Sequence, residues 1–147
     1  GASSQTFYTA GMGTTTIEAG ATFDVGANVD VVFYGTCTAM GTPALPIVFR
    51  GTNDVAGFWH GLSVGSIVFM GELTLDHAQV RDAGGASLGT GAGITVAKGA
   101  LHLTSTEVAR SMGYCLRVDA MSTATPDPQA ASSMNVLTDC ASGPRAP

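Results

Sequence analysis

Residues 57–65 read GFWHGLSVG. Within them Gly61-Leu62-Ser63-Val64-Gly65 fits G-x-S-x-G, the pattern of a hydrolase nucleophile elbow, with His60 directly before it. The chemistry would be acyl transfer with Ser63 as the nucleophile. That chemistry needs a strand, a strained turn carrying the serine, and then a helix. The next residues, SIVFMGELTLDH (66–77), read as turn and strand with no helical period. The expectation is therefore that Ser63 is the outward residue of a strand, between inward Leu62 and Val64.

A second set of residues would suit cleavage of a glycosidic bond, which needs a pair of carboxyl groups flanking that bond. Asp76 with His77, and Arg81 with Asp82, are the nearest approach to such a set, with Arg110 one repeat later. Asp76 and Asp82 fall on different strands, and the aligned later positions are Thr104 and Arg110, so no row of carboxylates is expected. His60, His77 and His102 have no metal-ligand spacing, and no metal site is expected. His102 lies between two inward leucines and should face outward beside Thr74. The glycine-rich GASLGTGAGI (85–94) lacks the Gly-Lys-Ser/Thr of a phosphate loop, so no nucleotide cofactor is implied. Trp59 is either a sugar-stacking platform or a packed corner aromatic. Thr-x-Thr recurs at 14–16, 36–38, 104–106 and 123–125. Regular ranks of threonine on a flat face would suit ice binding, but these are irregular along the chain.

The elements that must position these residues are short alternating runs. NVDVVFYG (28–35) puts Val29, Val31 and Phe33 on one face and Asp30, Val32 and Tyr34 on the other. LPIVFRG, ELTLDH and ALHLTS behave the same way, and each run is closed by Gly or Pro or leads into a short second strand. The runs also repeat. GLSV (61–64) aligns with GITV (93–96) and CLRV (115–118), and ELTLDHAQVRDAGG (72–85) aligns with ALHLTSTEVARSMG (100–113). Repeats of strands this short, with no helix between them, indicate a β-solenoid. In such a coil each inward residue stacks on its equivalent, and glycine supplies the corners.

Composition bounds the rest. The chain has 147 residues, 45% apolar and only 12% charged, with 20 glycines. That excludes disorder and a charge-faced helical bundle. A net charge of −5 with six Lys and Arg leaves no cationic footprint, so nucleic acid is not an expected partner. No stretch is long and apolar enough to be a transmembrane helix. Three cysteines are present, with no C-x-x-C. Cys115–Cys140 is the preferred disulfide, because it would tie the C-terminal segment to the body; three buried, unpaired thiols are the other reading.

Thr16-Ile17-Glu18-Ala19-Gly20, Gly41-Thr42, Pro46-Ile47-Val48-Phe49 and Trp59-His60-Gly61-Leu62 together resemble motifs of bacterial right-handed parallel β-helix repeat proteins, of the pectate-lyase-like solenoid superfamily. The resemblance covers roughly residues 14 to 120. Cys37 stands where the third motif usually has leucine, and the place of Trp59 implies a packed corner. The resemblance implies an all-β, right-handed parallel β-helix with four to five short coils and terminal caps. Residues 1–13 would form an N-terminal cap, 14–122 the β-helix, and 123–147 a C-terminal loop or tail with a further cap.

The function expected is a non-catalytic, extracytoplasmic (secreted or cell-surface) bacterial module with a surface, scaffold or binding role. Its partner would be a glycan or another surface protein, or a second copy through the solenoid edges. Trp59, His60, Asp76, Arg81, Asp82, His102 and Arg110 are the candidate binding residues. The alternative is a polysaccharide lyase or glycosidase with Asp76, Arg81, Asp82 or Arg110 in its cleft.

Overall fold

A computed structural model of the chain describes residues 5–8, 13–85 and 91–147. Residues 86–90 of the glycine-rich stretch lie outside the described residues, as does much of the segment 1–13 expected to form a cap.

The alternating runs form strands that wind as a coil. The first turn holds β1 (Gln5–Tyr8), β2 (Thr14–Ile17) and β3 (Thr22–Val25). The second holds β4 (Val29–Phe33), β5 (Gly35–Met40) and β6 (Ile47–Gly51), and the third β7 (Gly61–Val64), β8 (Gly71–Asp76) and β9 (Ala78–Arg81). The fourth holds β10 (Ala92–Val96), β11 (Gly99–Thr104) and β12 (Glu107–Ala109). The fifth holds β13 (Tyr114–Val118), β14 (Thr123–Thr125) and β15 (Val136–Thr138), and β16 (Gly143–Arg145) follows it.

Strands stack by position in the coil, not by sequence neighbour. Sheet 1 runs β1-β4-β7-β10-β13-β16, sheet 2 runs β2-β5-β8-β11-β14, and sheet 3 runs β3-β6-β9-β12-β15. Every strand pairing among the described residues is parallel. The chain is a parallel β-helix. The segment from residue 123, which reads in sequence as loop, tail and cap, completes the fifth coil with β14 and β15. Asn135 closes it by donating from Nδ2 to Leu103 O at 2.7 Å.

The repeat alignment holds residue by residue. Ile94 pairs with Leu62 and Leu116, and Leu101 and Leu103 pair with Leu73 and Leu75. Val80, Val108 and Phe49 line up across sheet 3. These inward side chains form one core cluster running along the coil axis. Full burial of each Leu or Ile contributes about 1.5–3 kcal/mol.

Glycine makes some of the corners, as expected, with φ of 65°, 70° and 134° at Gly35, Gly65 and Gly99 between sheets 1 and 2, but other residues make others. His77, Ser105 and Met134 turn the chain from sheet 2 to sheet 3 with φ of 50°, 48° and 57°. Asp82, Arg110 and Asp139 turn it toward sheet 1 with φ of 66°, 56° and 54°. Left-handed backbone costs a non-glycine residue roughly 1–2 kcal/mol. The stack compensates, because the backbone ladder continues through the corner. Ile47 N–H donates to His77 O (3.1 Å), His77 N–H to Thr104 O (3.3 Å) and Ser105 N–H to Ser133 O (2.9 Å).

Cys37 occupies a place in the leucine row, paired with Leu73 and buried as a free thiol. Burial pushes its pKa up to about 11. The thiolate is the reactive form. Maleimide labelling of Cys37 in the native chain should therefore run at least about a hundredfold slower than after unfolding, each unit of pKa being about tenfold in thiolate. Stopped-time mass spectrometry checks this; native labelling at the unfolded rate would refute the buried placement.

Candidate functional site

The G-x-S-x-G motif lies on β7. Ser63 pairs with Thr95, which pairs with Arg117, so all three stand in one outward row of sheet 1. Ser63 Oγ donates to Gly65 O at 3.0 Å, and β7 leads to a turn and then β8, not to a helix. The motif's glycines answer to the next coil. A Cβ on Gly65 (φ +70°) would come 2.1 Å from Lys98 O, and one on Gly61 (φ +122°) 2.6 Å from Ala92 O. Close coil stacking therefore explains the spacing that resembles an elbow.

Along that row runs a groove of about 570 Å³. Its floor is the outward row of Val32, Ser63 and Thr95; Tyr34 and Ile67 stand on one side, and Arg117 with Asp119 lies toward the C-terminal coil. His60 and Asp30 lie toward the corner from which the strands begin. His60 Nδ1 bonds Asp30 Oδ2 at 2.9 Å, with both side chains largely buried. Arg117 Nε donates to Asp119 Oδ1 at 3.3 Å. Both carboxylates of the groove thus already hold a partner. What the surface offers a ligand is hydroxyls, a guanidinium and an aromatic edge over an apolar floor.

The other candidates do not join this groove. Trp59 is fully buried, and its Nε1 donates to Arg81 O at 2.7 Å. A ring with no exposed face cannot stack on a sugar, so Trp59 is a packed corner aromatic. Asp76 and His102 lie on sheet 2, Arg81 on sheet 3, and Asp82 and Arg110 at the corner toward sheet 1. Asp82 is buried and takes Arg110 Nε at 2.9 Å, while Arg81 Nε donates to Glu107 at 2.9 Å. A shallower hollow of about 370 Å³ beside Arg110 is lined by Asp54, Asp139 and Cys140. Cys140 is joined there to Cys115 by a disulfide.

The threonine repeats are more regular in space than along the chain. Thr14, Thr36 and Thr123 share one row of sheet 2 with Glu72 and Ala100. Thr16, Thr38, Thr74 and Thr125 share the next row with His102. The motif at 104–106 is the exception, because it spans the corner. His102 breaks the hydroxyl lattice by bonding Thr125 Oγ1 (2.9 Å) and Glu72 Oε1 (3.0 Å). The groove itself is not visible in the sequence: Tyr34, Thr95 and Arg117 read there only as outward positions, because loop height decides where a wall stands.

The surroundings of Asp76 favour its ionised form. Burial opposes its ionisation, but the hydroxyl of Thr104 (2.7 Å), the bond to His77 (2.8 Å) and the charge of His77 outweigh that and hold its pKa below the ordinary 3.8. A depressed folded value means that the ionised form stabilises the native state above pH 3.8, and that this contribution is lost as pH falls through the lower folded value. Thr104→Ala should raise the Asp76 pKa and weaken stability on the acid side; carboxyl NMR titration reads the shift, and an unchanged value would refute the hydroxyl's role.

Substituting Gly65→Ala should destabilise the fold by about 2–5 kcal/mol, combining backbone strain with overpacking. Gly26→Ala, whose new Cβ meets only Val29 at 3.8 Å, should stay within about 1 kcal/mol of the parent. Urea denaturation separates the two, and equal effects would contradict the coil contact.

No protein-family model, no curated protein and no solved structure matches this chain.

Proposed function

We propose that the chain is a non-catalytic binding module of the extracytoplasmic bacterial β-helix kind, and that it holds a glycan strand in the groove of sheet 1. The observation that carries this reading is the in-register row Val32, Ser63, Thr95, Arg117 along the groove floor. A ligand laid along the coil axis meets a new side chain at each strand spacing of about 4.8 Å. Such a row suits an extended polymer better than a compact metabolite. Arg117 at one end favours a sugar bearing a carboxylate.

The polysaccharide lyase or glycosidase alternative draws less support. Its acids and bases, Asp76, Arg81, Asp82 and Arg110, sit on different faces and bond to Thr104, Glu107 or each other. Flanking carboxyls at one bond are what that chemistry requires.

A glycan array run beside depolymerisation assays on acidic polysaccharides tests the reading. Binding without cleavage is expected. Arg117→Ala should weaken that binding by roughly tenfold or more, as loss of a charged hydrogen bond does. Cleavage would overturn the non-catalytic reading, and silence across all glycans would overturn the ligand class.

A further inference from the structure

Neighbouring strands of sheet 2 bring three polar side chains together on its outer face: Glu72 from β8, His102 from β11 and Thr125 from β14. The ladder sets Thr125 directly beside His102, with Glu72 diagonally across from it one coil back. His102 Nε2 lies 3.0 Å from Glu72 Oε1, and His102 Nδ1 lies 2.9 Å from Thr125 Oγ1. The imidazole thus joins a carboxylate to a hydroxyl.

Donor chemistry orders the three groups. An ionised carboxylate only accepts, so Nε2 of the neutral ring carries the proton that bonds Glu72. Nδ1 is then the ring's acceptor, and the Thr125 hydroxyl donates to it. This is the arrangement of an activated nucleophile, with a hydroxyl in reach of a base and the base held by a third group.

Thr125 is open to a reactant. It is exposed, and β14 is the last strand of sheet 2, so no further strand overlies it among the described residues. Thr123, two residues earlier on the same strand, is also exposed, but its row partner is Ala100, which offers no base. The surroundings favour an acyl donor over a phosphoryl donor. A hollow of about 390 Å³ opens beside the site, with Glu72 and Thr123 on its wall and Met70 and Met121 as its large apolar side chains. Methionines adapt readily to an apolar acyl group. The Glu72 carboxylate and the net charge of −5 oppose an anionic phosphoryl group.

We propose that Thr125 is an acylation site, where the chain takes an acyl group from an activated ester or thioester. Thr125 Oγ1 attacks the acyl carbonyl carbon while His102 Nδ1 takes the hydroxyl proton, and Glu72 stabilises the imidazolium. The new C–O bond forms, the bond to the leaving group breaks, and His102 passes the proton to the departing oxygen or sulfur. The products are an acylated Thr125 and a free alcohol or thiol. The chain is the acceptor and is consumed, so it is not a catalyst here. The site lies on sheet 2, apart from the groove of sheet 1, and is independent of the groove's ligand.

Incubation of the intact chain with p-nitrophenyl acetate, followed by mass spectrometry that maps the acetyl groups, tests it. Thr125 should be acetylated at least about a hundredfold faster than Thr123, as a general base provides. His102→Gln keeps hydrogen-bonding groups in place but is no base, and should bring Thr125 down to the rate of Thr123. Glu72→Gln should slow the reaction at least about tenfold, and Thr125→Ser should retain it. Thr125 reacting no faster than Thr123, or as fast in His102→Gln as in the parent, would overturn the proposal. So would steady release of p-nitrophenolate over many turnovers, which would make the site a hydrolase. Acetyl found on His102 and none on Thr125 would make the imidazole the nucleophile and overturn it equally.

Discussion

Everything in this molecule depends on the parallel backbone ladder that locks each coil onto the next. Once Ile94 is bonded between the strands of Leu62 and Leu116, its side chain must pack on theirs. The same registry dictates the leucine rows of sheet 2 and the valine row of sheet 3. It also accounts for the costly corners. Seven non-glycine residues among those described, Asn28 included, hold left-handed backbone because ladder bonds on either side leave the chain no room to turn otherwise. Isolated, such residues would relax; repeated coil after coil, the cost is shared with a continuous hydrogen-bond network.

The ladder organises the outside as firmly as the core. Polar side chains repeatedly find partners one coil away, as in Asp24–Arg50, Arg81–Glu107, Asp82–Arg110, Asp76–Thr104 and His102–Glu72. The exposed ion pairs among them, such as Asp24–Arg50, contribute little to stability, about 0–1 kcal/mol each. Their effect is to quiet the faces on which they lie. Against that background the groove of sheet 1 and the apolar turn beside it stand out. Ile67 belongs to both, so one turn shapes a recessed surface and a protruding one.

Much of the fold is legible in the chain. Inward and outward faces of β4, β8 and β11 follow directly from alternation, and the pairing of Ser63 with Thr95 and Arg117 follows from aligned repeats. The candidate site is legible only in fragments. Trp59 and His60 are adjacent in sequence, yet one is sealed in the corner and the other faces the groove with Asp30. Asp82 and Arg110 have the residue types of cleft chemistry, but the fold uses them as a corner and its brace. The threonine motifs look scattered because coils of unequal length separate them, and sheet 2 restores three of the four to common rows.

The sequence by itself determined which residues face inward and which strands repeat, because alternation and self-similarity are local properties of the chain. Only the tertiary structure decided where the corners fall on non-glycine residues and which loop rises into a groove wall. Those outcomes depend on which coil lies against which. That relation is set by loop length and close backbone contact across the stack, as where Gly65 meets Lys98, and neither leaves a periodic mark in the sequence.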